Sequence, residues 1–165
     1  MELPTGDQPV QFACDAMLGG LARWLRAAGY DASWHPGIDD WELIRTARRE
    51  SRFLLTSDTG IFRIGIVRDG ELPALFIPHG MEKKEELRFV LEQLQLPIRE
   101  PRCMACGGEL RERTREEVRD RVPTKSLAWL DRFYECVRCG KVFWQGTHWQ
   151  RIEKVLGRLV SPGAN

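Results

Sequence analysis

The order of apolar and polar residues divides the chain into short strands and amphipathic helices. Val10, Phe12, Ala13 and Cys14 make a brief apolar run that stops at Asp15. Leu18, Leu21, Ala22 and Leu25 follow at i, i+3, i+4 and i+7, the apolar stripe of a helix. Gly29 stands where a helix C-terminus favours a left-handed residue, and residues 30–34 read as a second strand. Strand, helix, strand is a βαβ unit, whose crossover predicts a parallel pair. His35-Pro36-Gly37 breaks the second strand. Asp39, with Glu42 three residues on, then predicts a capped helix carrying Leu43, Ile44 and Ala47. Residues 52–57 are a third, buried strand signal, again ending at a carboxylate, Asp58. A turn or single helical turn is expected at residues 60–62 and a fourth strand at 73–77. Residues 82–96 form the clearest helix, striped by Leu87, Val90, Leu91 and Leu94. The pattern predicts an α/β sandwich with a mostly parallel sheet of about four strands.

The character changes at Pro97 to Pro101. Two C-x-x-C-G turns follow, at Cys103/Cys106 and Cys136/Cys139, with the sign-alternating stretch Arg111 to Arg121 between them, expected to be a solvated helix. Short strands are expected at 133–135 and 141–144, and Thr147 opens a last helix bearing Ile152, Val155, Leu156 and Leu159. The expected division is an α/β domain at 1–98 and a ribbon with a C-terminal helix at 99–165.

Charge sharpens this division. The formal net charge is only +1, but residues 1–98 hold 11 Lys+Arg against 15 Asp+Glu and residues 99–165 hold 14 against 9. An acidic front suits cations, and a basic back suits an anionic polymer. No apolar run approaches a membrane span, and the start has no basic segment followed by an apolar one, so a cytoplasmic protein is expected.

Four of the five cysteines form the two pairs, which reads as metal rather than disulfide in a reducing compartment. Four thiolates at two knuckles match a tetrahedral structural zinc site; two redox pairs are the alternative. The 29 residues between the pairs exceed the usual spacing and require an excursion. Cys14, flanked by apolar residues, is expected in the core.

Asp15 and Asp58 each end a strand of one parallel sheet, where ligands of such sheets bind. With Asp40, and with Asp39 less favoured, they could hold Mg²⁺ or Mn²⁺, which takes oxygen ligands. Alternatively each caps a helix or turn, which explains Asp39 well. Arg23, Arg26, Lys125 and His148 are candidate contacts to phosphate, and Trp144 and Trp149 could stack on bases or pack in a core.

The string D-x-M-L-G-x-L-A-R-W-L-R-x-x-G-Y-D, followed by D-D, L-L-T-x-D, two C-x-x-C knuckles and W-x-G-T-H, resembles the mut-seven C-terminal RNase domain family over residues 10–157. The resemblance implies a PIN-like three-layer fold with a zinc ribbon. It also implies a ribonuclease that uses a divalent cation held by Asp15, Asp58 and one of Asp39 and Asp40. RNA, single-stranded, is the implied substrate. A fourth acid frequent in PIN domains has no match, Asp69 being better explained by its turn. A non-catalytic RNA-binding or protein-interaction module is the alternative.

Overall fold

The structure is a computed structural model and describes Leu3 and residues 8–160, apart from the side chains of Thr147, His148 and Val160. Four parallel strands, β1 (Phe12–Cys14), β2 (Ala32–Ser33), β3 (Phe53–Thr56) and β4 (Ala74–Phe76), form a sheet in the order β2-β1-β3-β4. The period-two alternation of strands assigns their side chains to two cores. Phe12, Cys14, Phe53 and Leu55 face α1 (Gly19–Ala27), α5 (Lys83–Gln93) and α8 (Thr147–Val160). Ala13 and Leu54 face α2 (Asp40–Arg49), α3 (Thr59–Arg63) and α4 (Gly65–Arg68). Three layers result. Strands this apolar need a helix layer on each face, because neither face can be left to water.

The single turn expected after Asp58 is two short helices, α3 and α4. They form the crossover that β3 and β4 need in order to run parallel. Gly29 ends the α1 segment at φ +97°, and a Cβ there would lie 2.5 Å from the Arg99 Cβ. The position therefore serves both the left-handed turn and the return of the chain across it.

The second sheet is antiparallel: β5 (Leu110–Arg113), β6 (Phe133–Cys136) and β7 (Val142–Trp144), in that order. Arg111 to Arg121, expected as one solvated helix, does not form one. Its first part is β5, and only Arg115–Val118 forms a helical turn, α6. Pairing decided this. Arg113 opposes Phe133 in the ladder and its guanidinium bonds Glu135 at 2.7 Å, so charge alternation serves cross-strand contacts rather than a helix face. A further helix, α7 (Thr124–Trp129), completes the excursion between the knuckles.

The boundary expected after residue 98 separates the sheets but not the packing. Ile152 and Leu156 of α8 lie in the same core as α1 and α5. Arg26, a candidate contact to phosphate, is buried instead. Its Nε donates to the Ala32 carbonyl at 2.9 Å, and its Nη1 to the carbonyls of Met104 and Ala105 at 2.9 and 3.1 Å. It is a strut from α1 to the first cysteine turn.

A second tie joins the other knuckle to the sheet. The Asp31 carboxylate, 4% exposed, receives Arg138 Nη2 at 2.9 Å and Arg52 Nη2 at 3.3 Å. Gly107, at φ +83°, passes so close that a Cβ would stand 2.6 Å from Asp31 Oδ1. Burial alone would raise the Asp31 carboxyl, but the hydrogen bonds and charges of Arg138 and Arg52 outweigh it and hold it below 3.8. A depressed carboxyl contributes stability above its unfolded pKa and loses it as pH falls through the folded value. Stability should therefore drop below the ordinary carboxylate value of 3.8. At neutral pH, Asp31→Ala should cost about 1–3 kcal/mol: it removes the charged hydrogen bonds from Arg138 and Arg52, while buried Arg52 keeps Glu50 at 2.6 Å. Urea unfolding of the variant at both pH values measures this; an unchanged midpoint would refute it.

Candidate functional site

β1 and β3 are neighbours, so the two Asp-bearing strand ends lie side by side. The Asp15 amide donates to the Leu55 carbonyl at 3.0 Å, which extends the ladder to the first carboxylate. Asp15 is buried. Its Oδ1 accepts from the Met17 amide at 2.9 Å, and its Oδ2 from Thr56 Oγ1 at 2.6 Å and the Ser57 amide at 2.8 Å. Asp58 is exposed; it caps α3, its Oδ1 accepting from the Gly60 amide at 2.7 Å.

Thr56 links the two acids. The hydroxyl that donates to Asp15 also accepts from the Asp58 amide at 3.0 Å. Thr56 is not among the residues that the sequence pattern singles out, although the T of T-x-D marks its place. A hydroxyl can donate and accept together, which is what a residue between a carboxylate and an amide must do.

Asp40 is the first residue of α2 and projects near the same edge. Partial burial raises its carboxyl above 3.8, and the negative charges of Asp58, Asp15 and Asp39 raise it further. Asp39 is the α2 cap, accepting from the Glu42 amide at 2.9 Å. Asp69 pairs with Arg68 at 2.7 Å and takes no part. Two large apolar side chains flank the acids: Met17, 64% exposed, and Trp41, 59% exposed. Among the described residues, the carboxylates do not bring three oxygens within 4.8 Å of one another.

The cysteines are different. The sulfurs of Cys103, Cys106, Cys136 and Cys139 all lie within 4.8 Å of one another. The closest pairs are Cys106–Cys136 at 3.4 Å and Cys103–Cys139 at 3.7 Å. A tetrahedron with metal–sulfur bonds of about 2.3 Å needs edges of about 3.8 Å. The Gly108 amide points at the Cys106 sulfur, and the Arg138 and Cys139 amides at that of Cys136, all at 3.4–3.5 Å. Four thiols with amide donors form a site that could hold a metal such as zinc. With every corner sulfur, it leaves no open position for substrate. Cys14 is buried in the first core, where burial pushes its thiol up to about 12.

The remaining candidates separate. Arg23 is exposed and lines a cleft between α1 and β7. Lys125 is exposed on α7 and does not line that cleft. The His148 side chain lies outside the described residues. Trp144 and Trp149 are half-buried and both line the cleft. Trp144 also packs against the small core of Val118, Val122 and Phe133.

Residues 10–156 match the model of the Mut7-C RNAse domain, nearly the whole chain, and the chain belongs to that family. Comparisons with curated proteins and with solved structures found no match.

Proposed function

We propose that this member of the Mut7-C RNAse domain family is a divalent-metal-dependent, PIN-like ribonuclease that hydrolyses phosphodiester bonds of single-stranded RNA. The observation that carries the reading is the pair of adjacent strand ends bearing Asp15 and Asp58, bridged by Thr56, with Asp40 near enough to feel both charges. Like charges so placed repel: beyond the effect of burial, the charges of Asp58, Asp15 and Asp39 raise the Asp40 carboxyl. When bound there, Mg²⁺ or Mn²⁺ supplies charge neutralisation and lowers the pKa of a water. Asp58 and Asp40, both exposed, provide ligand oxygens toward solvent. Asp15, buried, orients the edge through its three hydrogen bonds. Zinc in the cysteine site holds the ribbon, which with its basic flanks docks the RNA backbone. Cysteines that hold zinc rather than pair as disulfides suit a reducing compartment such as the cytoplasm.

One observation favours a second reading, a non-catalytic RNA-binding module: Asp15, Asp39 and Asp58 each accept a nearby backbone amide, as caps do. The two readings part in one assay. Protein incubated with labelled single-stranded RNA should cleave it with added Mn²⁺ and not with EDTA. Intact RNA in both lanes, with binding retained, would replace the first reading by the second.

A further inference from the structure

A cleft of about 990 Å³ opens between the start of α1 and β7, the edge strand of the small sheet. Trp34 lines it on the side of the large sheet; Phe143 and Trp144 of β7 and Trp149 of α8 line it on the other. Arg23 and Lys141 supply charge, with Lys141 Nζ 5.9 Å from the Phe143 ring centroid. Among the described residues no carboxylate lines it. The cleft is thus aromatic and cationic, whereas the strand ends beside it are acidic.

Trp34 connects the two. Its indole N–H donates to the Ala16 carbonyl at 3.0 Å, one residue past Asp15. Its ring packs on Gly19, where a Cβ would stand 2.8 Å from it. The wall of the cleft is therefore anchored at the acidic edge. Trp149 has its polar edge satisfied within α8, donating to Glu153 Oε1 at 2.8 Å.

We propose that this cleft is a base-stacking subsite for single-stranded RNA, from which the strand continues to the carboxylates at Asp15 and Asp58. Every base has a π-face, so aromatic walls hold unpaired bases without reading sequence. Arg23 and Lys141 offset the phosphate charges of the same nucleotides. A duplex keeps its bases stacked inside and cannot offer them to Trp34 or Phe143. An apolar protein segment would not need the two cations. The direction of the strand rests on the nuclease reading; the stacking itself does not.

The test is binding by the full chain, without added Mn²⁺ so that cleavage does not compete. The probe is a labelled uridine oligomer of about ten nucleotides. The comparisons are an oligomer with the same backbone but abasic throughout, and a duplex of equal length. The uridine oligomer should quench tryptophan fluorescence and bind about tenfold tighter than either comparison. Phe143→Ala and Arg23→Gln should each weaken it several-fold, and Phe143→Trp should retain it. Melting curves show which variants fold; Arg23 is exposed, so its variant keeps the test open if Phe143→Ala does not fold. Equal affinity for the abasic oligomer, or unchanged affinity in the folded variants, overturns the proposal. Base-dependent binding in a protein that never cleaves would uphold the cleft and remove the nuclease; cleavage with base-indifferent binding would do the reverse.

Discussion

Asp58→Asn should reduce cleavage by roughly 100-fold or more, the scale of removing one charge-stabilising group from a reacting centre, while leaving the metal-free fold intact or slightly more stable. The cap survives, because Asn accepts the Gly60 amide as Asp does. The charge does not. Asp58 is the foremost of the three acids that raise the Asp40 carboxyl, after burial. A carboxyl raised by folding penalises the ionised fold, so removing its neighbour's charge favours the fold at neutral pH. That gain should fade as pH falls below the ordinary value of 3.8, where Asp40 is protonated in both states. Added Mn²⁺ should raise the melting temperature of the parent and raise that of the variant less. Asp39→Asn, at a cap, should change cleavage little. Melts with and without Mn²⁺, beside a cleavage assay on both variants, decide the matter. Parental cleavage by Asp58→Asn would refute the mechanism.

Cys136→Ser should abolish tight metal binding and lower the stability of the whole molecule, not of the ribbon alone. Structural zinc at such sites contributes on the order of 10–16 kcal/mol in small domains. From spacing alone, the ribbon would unfold by itself and spare the βαβ core. The contacts argue otherwise. Arg138, between Cys136 and Cys139, pairs with Asp31 of the large-sheet unit, and Arg26 of α1 donates to carbonyls between Cys103 and Cys106. If the knuckles open, Arg26 and Asp31 are left buried and partly unpartnered, which costs several kcal/mol more. The expected result is one cooperative transition at lower temperature, with faster amide exchange in β1 and β3 as well as in β6. Full protection of β1 and β3 in the variant would show two independent units. Elemental analysis of the parent should find one zinc per chain.

The features legible in the chain are those carried by near neighbours. The stripe Leu18, Leu21, Ala22 and Leu25 specifies α1 and the turn that leads into it, and all four lie buried. Two runs ending in Asp15 and Asp58 foretold strands with carboxylates at one edge, since a βαβ crossover leaves few other arrangements. The C-x-x-C spacing brings two sulfurs together within one turn, so both knuckles were readable before any packing was known.

Partners distant in sequence leave no such trace. Arg26 looked like a surface cation because helical periodicity places it off the apolar stripe; carbonyls 78 and 79 residues away drew it inside. Charge alternation at Arg111 to Arg113 fitted a helix until the β6 ladder claimed those backbone amides. Thr56 is one more polar residue until β1 and β3 lie side by side and one hydroxyl can reach Asp15. Local spacing and backbone geometry suffice for most elements of the α/β part, for the two cysteine knuckles and for the acids at strand ends, and these could be read from the chain alone. It takes the packed fold to set Thr56 between the acids, to fasten the knuckles through Asp31 and Arg26, and to bring Trp34 and Phe143 to one cleft. Each of those joins groups distant in the chain, and whether their hydrogen bonds and packing offset the cost of desolvation is set by the fold and not by any local pattern.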